Sequence, residues 1–231
     1  MDYAIIAAGE GSRLAQEGVT LPKPLVKLNG KEMIRRLIDI FLKNDASSIS
    51  LIVNEEMVQV QEYVADIKLD IPLNVIVKST PSSMHSFFEL RNFLREGKFC
   101  LTTVDTIFKE DEFSHYIKSF INDEKSDGMM AVTEFIDDEK PLYVDVDADM
   151  TITGFLDKSD WCKYISGGIY GLTPKAIDTL EACLDAGQSR MRNFQRQLVA
   201  DGLNLKAYPF EKIVDVDHAG DINKAELFLN S

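Results

Sequence analysis

Cysteine, histidine and tryptophan are scarce in this chain, and their scarcity closes several routes to chemistry. The three cysteines, Cys100, Cys162 and Cys183, are odd in number and share no metal-ligand spacing. Neither a disulfide framework nor a zinc site is encoded, and reduced thiols are expected. His85, His115 and His218 are scattered and are expected at the surface or at helix ends, with His218 set apart by its closeness to Asp215. No Ser-His-Asp or Cys-His arrangement is legible. The one tryptophan, Trp161, reads either as a stacking surface for a sugar or base, or as an aromatic packed at a strand edge.

Positive charge is also short, with 25 Lys+Arg against 38 Asp+Glu and a net charge of -13. Such a field repels DNA, RNA and anionic membranes, so no nucleic-acid or membrane partner is expected. A phosphate ligand would need local cations or a divalent metal to overcome it. No apolar run approaches the roughly 20 residues of a membrane span. The opening MDYAII carries an acid where a secretory leader carries a base, and a cytoplasmic protein is expected. With 231 residues, 45% of them apolar, the chain is expected to form one domain over 1–231. It contains no internal repeat, low-complexity segment or linker.

The patterning points to an α/β fold. A short apolar run over 3–7 reads as a buried strand feeding a loop at Gly9. Apolar residues at helical spacing over 31–44 predict an amphipathic helix. Strands over 50–53, 73–77 and 99–104 then alternate with helices over 56–65 and 84–95. Further strands are expected over 129–135, 142–146 and 151–156, the last two joined by a hairpin turn at "DADM", and helices over 174–184, 189–200 and 219–229. This predicts a three-layer, Rossmann-like α/β domain with a mixed, mostly parallel sheet and a ligand site at the carboxyl ends of its strands.

The first such end is "GEGSRL". A dinucleotide fingerprint would need a third glycine where Leu14 stands, followed by a helix that Pro22 and Pro24 are expected to prevent. A Walker loop would need Gly-Lys-Ser/Thr, which is absent. The remaining readings are an ordinary strand-to-loop turn, or a loop in which Gly9 and Gly11 let the backbone approach a ligand. In the second, Arg13 offers a planar fork and Lys23 a point charge to phosphate oxygens. Pro22 and Pro24 are expected to hold Lys23 in extended backbone.

Ala7-Ala8-Gly9-Glu10-Gly11-Ser12-Arg13-Leu14, then Pro22-Lys23-Pro24-Leu25, then Gly30-Lys31-Glu32-Met33-Ile34 together resemble the opening motifs of the sugar-1-phosphate nucleotidyltransferases, the NDP-sugar pyrophosphorylases. The resemblance extends to Glu226 and implies a nucleotide-diphospho-sugar transferase type of fold. It also implies a reaction in which a phosphate monoester attacks the α-phosphate of a nucleoside triphosphate and expels pyrophosphate. Arg13, Lys23 and Asp105 are implied as catalytic, and Ala7, Ala8, Gly9, Gly11, Ser12, Ser82 and Ser83 as nucleotide-binding. Helix capping by Ser82 or Ser83 competes with base contact.

The resemblance further implies Mg²⁺ as cofactor, held by Asp105 and Asp215, with Asp217 as the alternative to Asp215. Asp105 follows Val104, where the family has glycine, a replacement expected to narrow backbone access. Asp221 is expected in the first turn of the last helix. On the acceptor side, Lys158 in "FLDKSD" and Gly168 in "SGGIYG" take the family's phosphate and sugar places, although Asp157 and Ser159 depart from its Glu-Lys-Pro pattern. The other "EKP", Glu139 to Pro141, is expected to be a solvated turn.

Three outcomes stay open. They are transfer to a sugar 1-phosphate, cytidylyl or guanylyl transfer to phosphocholine or a molybdopterin-type acceptor, and a non-catalytic nucleotide-binding regulatory subunit. Homo-oligomerisation is left open, and a second activity appended to a chain of this length is not expected.

Overall fold

Two apolar runs, Ala4-Ile5-Ile6 and Leu51-Ile52-Val53, become neighbouring parallel strands in which Ile5 pairs Leu51 and Ile6 pairs Ile52. The computed structural model describes residues 1–137 and 140–231. The chain runs β1 (Asp2–Ala7), α1 (Ser12–Gln16), a 3-10 turn (Lys23–Leu25), β2 (Lys27–Leu28), β3 (Lys31–Glu32), α2 (Met33–Lys43), β4 (Ser48–Val53), α3 (Val58–Ala65) and β5 (Leu73–Val77). Next come α4 (Ser83–Leu90), β6 (Phe99–Thr103), β7 (Thr106–Ile107), α5 (Glu110–Asn122), β8 (Gly128–Thr133), β9 (Tyr143–Val146), β10 (Ile152–Leu156) and β11 (Tyr164–Leu172). The chain closes with α6 (Lys175–Asp185), α7 (Met191–Ala200), β12 (Leu205–Phe210), β13 (Val214–Asp215) and α8 (Ala219–Leu229).

β5, β4, β1 and β6 lie side by side in parallel. β11 runs antiparallel to β6 and to β8, β8 pairs β12 in parallel, and the β9–β10 hairpin joins the start of β11. The sheet is mixed and mostly parallel, with helices on both faces. Alternation along β1 feeds two cores. Tyr3, Ile5 and Ala7 pack with α2, α3, α5 and α8, while Ala4, Ile6 and Ala8 pack with α4, α6 and α7. Burial on both faces is why these strands are continuously apolar.

From β1 the chain moves to β4 on one side and later returns to β6 on the other. Such a reversal opens a crevice beyond the carboxyl ends of β1 and β6.

Some local expectations change. A helix, α1, does follow the glycine loop, because Gly11 starts it at φ 62° and it ends at Gln16, well before Pro22. Lys23 is not extended. Pro22 is, and Lys23 opens a 3-10 turn closed by bonds from Leu25 N–H and Val26 N–H, donors that neither proline has to supply. The helix α5 and the strands β2, β3, β7 and β12 were not anticipated, whereas β13 is the short strand expected to carry Asp215.

Among the described residues no helix is long and apolar enough to cross a membrane. Cys100 and Cys183 are buried, Cys162 is partly buried, and all three are free thiols.

Candidate active site

A cleft of about 510 Å³ lies beyond β1 and β6. Its walls include Ala8, Gly9, Gly11, Ser12, Arg13 and Lys23 from the opening motifs, Ser82 and Ser83 at the start of α4, and Asp105 and Asp217. Ala7 is not on the wall, because its side chain faces the core. Val104, in the place of the family's glycine, is 4% exposed and packs into that same core while also lining the cleft.

Local geometry explains the loop. Gly11 is left-handed at φ +62°, and a Cβ there would meet the Lys23 Cβ at 2.9 Å, whereas a Cβ on Gly9 would meet nothing within 4 Å. Asn54, missed in the sequence, braces the loop from the end of β4. Its buried amide donates to the Ala8 carbonyl at 3.0 Å and accepts from Glu56 N–H and the Ser79 hydroxyl, each at 2.9 Å. The signal was a polar residue at the end of an apolar strand, in "LIVNEE". Ser82 stands at the N-cap of α4 but makes no side-chain capping bond, its hydroxyl pairing instead with His85 Nδ1 at 2.9 Å.

The charges converge on Lys23. Its ammonium pairs with Asp105 Oδ2 and lies 2.7 Å from Asp217 Oδ1, while Arg13 Nη1 lies 2.8 Å from Asp217 Oδ2. Burial works against the Lys23 charge, but the two carboxylates outweigh it and raise its pKa. Burial likewise disfavours ionised Asp217, and Lys23 and Arg13 nevertheless hold its carboxyl below the usual range.

The closing motif is tied to the opening one. Glu17, just past α1, accepts from Ala219 N–H at 2.7 Å and pairs with His218 Nδ1 at 2.6 Å, which raises the His218 pKa. Asp221, in the first turn of α8 as expected, accepts from the backbone N–H of His218 at 2.8 Å and of Asp217 at 3.2 Å. These bonds fix the backbone that carries Asp217.

A second cleft of about 290 Å³ shares Thr103, Asp105 and Asp217 with the first. Its other lining residues include Gly168, Asp215, Lys140 and Arg190. Gly168, at φ +73°, lies against Thr106, whose Oγ1 would be 3.2 Å from an added Cβ. Asp215 pairs with Thr106 in the β13–β7 ribbon and lines only this cleft.

Lys158, expected here, is exposed and lines neither cleft. The neighbouring Asp157 is held by Arg192 at 2.5 Å and Arg196 at 2.8 Å, which tethers the end of β10 to α7. Lys140 is exposed, as expected of a solvated turn, but it also lines the second cleft, and its carbonyl accepts from Arg192 at 3.1 Å. Glu139 of that turn lies outside the described residues. Trp161 is 71% exposed and lines neither cleft.

Among the described residues no group of three or more His, Cys, Asp or Glu converges on one point. The carboxylates of Asp105 and Asp217 do converge, on the Lys23 ammonium.

A family model described as nucleotidyl transferase matches residues 3–230. The bifunctional protein GlmU of Methanococcus maripaludis is 25% identical over 244 residues, covering 100% of this chain and 55% of the relative. The GlmU protein of Methanococcus vannielii is 23% identical over 223 residues, covering 90% and 51%. The chain thus spans about half the length of the curated relatives it matches. The inositol-1-phosphate CTP transferase from T. maritima superposes with a TM-score of 0.84 at 21% identity, covering 99% of this chain and 94% of that one. HddC from Yersinia pseudotuberculosis gives 0.74 at 21% identity, covering 98% of each chain. These structures share the fold, and the match over nearly the whole sequence carries the assignment: the chain belongs to the nucleotidyl transferase family.

Proposed function

We propose that the protein transfers the nucleotidyl group of a nucleoside triphosphate to a phosphate monoester, a sugar 1-phosphate or a similar small acceptor, with release of pyrophosphate. The observation that carries this reading is that two clefts meet at Asp105 and Asp217. One cleft would hold the triphosphate and the other the acceptor, with the reacting atoms at the shared wall. An acceptor oxygen forms a bond to the α-phosphorus while the bond to the bridging oxygen of the β-phosphate breaks and pyrophosphate leaves. No general base is required, because the monoester is already anionic at neutral pH. Catalysis is then positioning and charge neutralisation.

Arg13 and Lys23 would hold the triphosphate. Asp105 and Asp217 fit Mg²⁺, since two hard carboxylate donors already meet around one cation, and Mg²⁺ takes one or two carboxylates and completes its shell with water and substrate phosphates. When bound, the ion would neutralise charge on the phosphates. Asp217 is preferred to Asp215 because it lines both clefts. Lys140 and Arg190 take over the acceptor-phosphate role expected of Lys158. The name of the inositol-1-phosphate CTP transferase supports an acceptor of this class. A cytoplasmic setting, where nucleoside triphosphates are made and thiols stay reduced, accords with this chemistry.

Pyrophosphate release with Mg²⁺ tests the reading, crossing the common nucleoside triphosphates with sugar 1-phosphates, inositol 1-phosphate and phosphocholine. Release is expected with at least one pair. Silence from every pair with a nucleotide-dependent rise in melting temperature would favour a nucleotide-binding subunit, and no nucleotide effect at all would overturn the reading.

A further inference from the structure

Lys23 and Arg13 occupy the carboxylates that the proposed function assigns to a divalent cation. The Lys23 ammonium contacts Asp105 Oδ2 and Asp217 Oδ1, and Arg13 takes Asp217 Oδ2 at 2.8 Å. Both oxygens of Asp217 are therefore engaged, and the Lys23 side chain, 10% exposed, is enclosed between its partners. An ammonium has three donors, and Lys23 directs bonding at two carboxylates. It cannot keep these contacts while a divalent cation sits between the same oxygens.

We propose that Lys23, assisted by Arg13, is a place-holding cation, exchanged for the divalent metal when the triphosphate arrives. The inference rests on the reading of Asp105 and Asp217 as the metal-holding pair. Two carboxylates facing each other repel, and Lys23 keeps them together. A metal alone would have to expel an enclosed ammonium and leave it without a partner. A triphosphate alone would have to take Lys23 and Arg13 from carboxylates that then repel both each other and the phosphates. Arriving together, the metal takes the carboxylates and the phosphates take the two side chains, so every charge that loses a partner gains another. Metal and triphosphate binding are thereby coupled, and each is weak without the other.

Binding of Mn²⁺ to the whole chain, followed by the electron paramagnetic resonance of the free ion with no nucleotide present, tests this. Lys23→Met is expected to bind Mn²⁺ at least about tenfold more tightly than the unaltered protein, within the usual range of coupling between sites. Lys23→Arg, which keeps a cation in place, stays weak. Adding Asp217→Asn to Lys23→Met abolishes the gain. Arg13→Met, which frees one Asp217 oxygen at an exposed site, gives a smaller gain and serves if Lys23→Met does not fold. Unchanged affinity in both methionine variants, or a gain that survives Asp217→Asn, overturns the exchange. Turnover is not read here, so this failure is separate from that of the pyrophosphate-release test.

Discussion

Gly11 and Lys23 are in contact across the opening loop, so that a Cβ on Gly11 would lie 2.9 Å from the Lys23 Cβ. The glycine therefore serves the lysine as well as any ligand. Gly11→Ala would carry two penalties, a left-handed backbone at φ +62°, worth about 1–2 kcal/mol, and displacement of Lys23 from its carboxylates. A modest fall in melting temperature should accompany at least a tenfold loss of turnover. Gly9→Ala is the control, because open space surrounds that position, and it should keep its stability. If Gly11→Ala unfolds like the control and releases pyrophosphate as fast as the unaltered protein, the contact does not position Lys23.

Lys23→Ala isolates the charge. The lysine is the hub of the carboxylate pair and the proposed triphosphate ligand. Its loss should lower kcat/KM by about 10²–10³, the scale seen when one preorganised donor is removed from a reacting centre. Asp217 is 43% exposed and keeps Arg13, so the fold should survive, as circular dichroism would show. Near-normal turnover would remove Lys23 from the mechanism.

What the sequence revealed follows the range of the forces involved. The glycine loop, Lys23 and Asp105 were legible because they sit next to strands whose apolar runs declare themselves. Asp217 was only the alternative to Asp215. What sets it apart is contact with Lys23, 194 residues away, which no local pattern encodes. That Lys140 lines the second cleft and Lys158 does not was illegible for a similar reason. Both follow an acid, and the capture of Asp157 by Arg192 and Arg196 from α7 is a tertiary contact that no local pattern encodes. The helix α5 was different, since Phe113, Tyr116, Ile117 and Phe120 are all buried at helical spacing and the pattern was readable. β12 carries Pro209, which argues against a sheet strand until its place outside β8 is known.

A stability test lies away from the site. Asp127 accepts from Lys175 at 2.7 Å and from Asn204 N–H at 2.9 Å, joining the start of β8 to α6 and to the turn before β12. Burial disfavours its charge, but these partners prevail and lower its pKa. A lowered folded-state pKa contributes stability that is present above the unfolded value and disappears as pH falls through the folded one. Asp127→Asn should therefore cost about 1 kcal/mol at neutral pH, most of it from weakening the charge-assisted backbone bond, which the asparagine oxygen can still accept as a neutral one, because the Lys175 partner is exposed. The difference from the unaltered protein should shrink below pH ~4, where the unfolded aspartate protonates. Chemical denaturation at several pH values measures this, and a gap independent of pH would assign the effect to shape instead of charge.

The cleft proposed for the acceptor gives the sharpest contrast between two lysines. Lys140 and Arg190 line this cleft, which shares Asp105 and Asp217 with the first, and Lys158 does not. A charge-assisted contact to an acceptor phosphate is made in the ground state and the transition state alike, so its loss should appear mainly in KM. Lys140→Ala and Arg190→Ala should each raise the acceptor KM by about tenfold, with the triphosphate KM nearly unchanged. Lys158→Ala should leave both near normal. Asp157→Asn should have an intermediate effect, because it loosens Arg192, which is bonded both to Asp157 and to the Lys140 carbonyl. Steady-state kinetics with the acceptor varied distinguishes these cases. A large rise in acceptor KM for Lys158→Ala, with none for Lys140→Ala, would mean that the loop after β10 closes over the acceptor, and would return the phosphate role to the residue first expected to hold it.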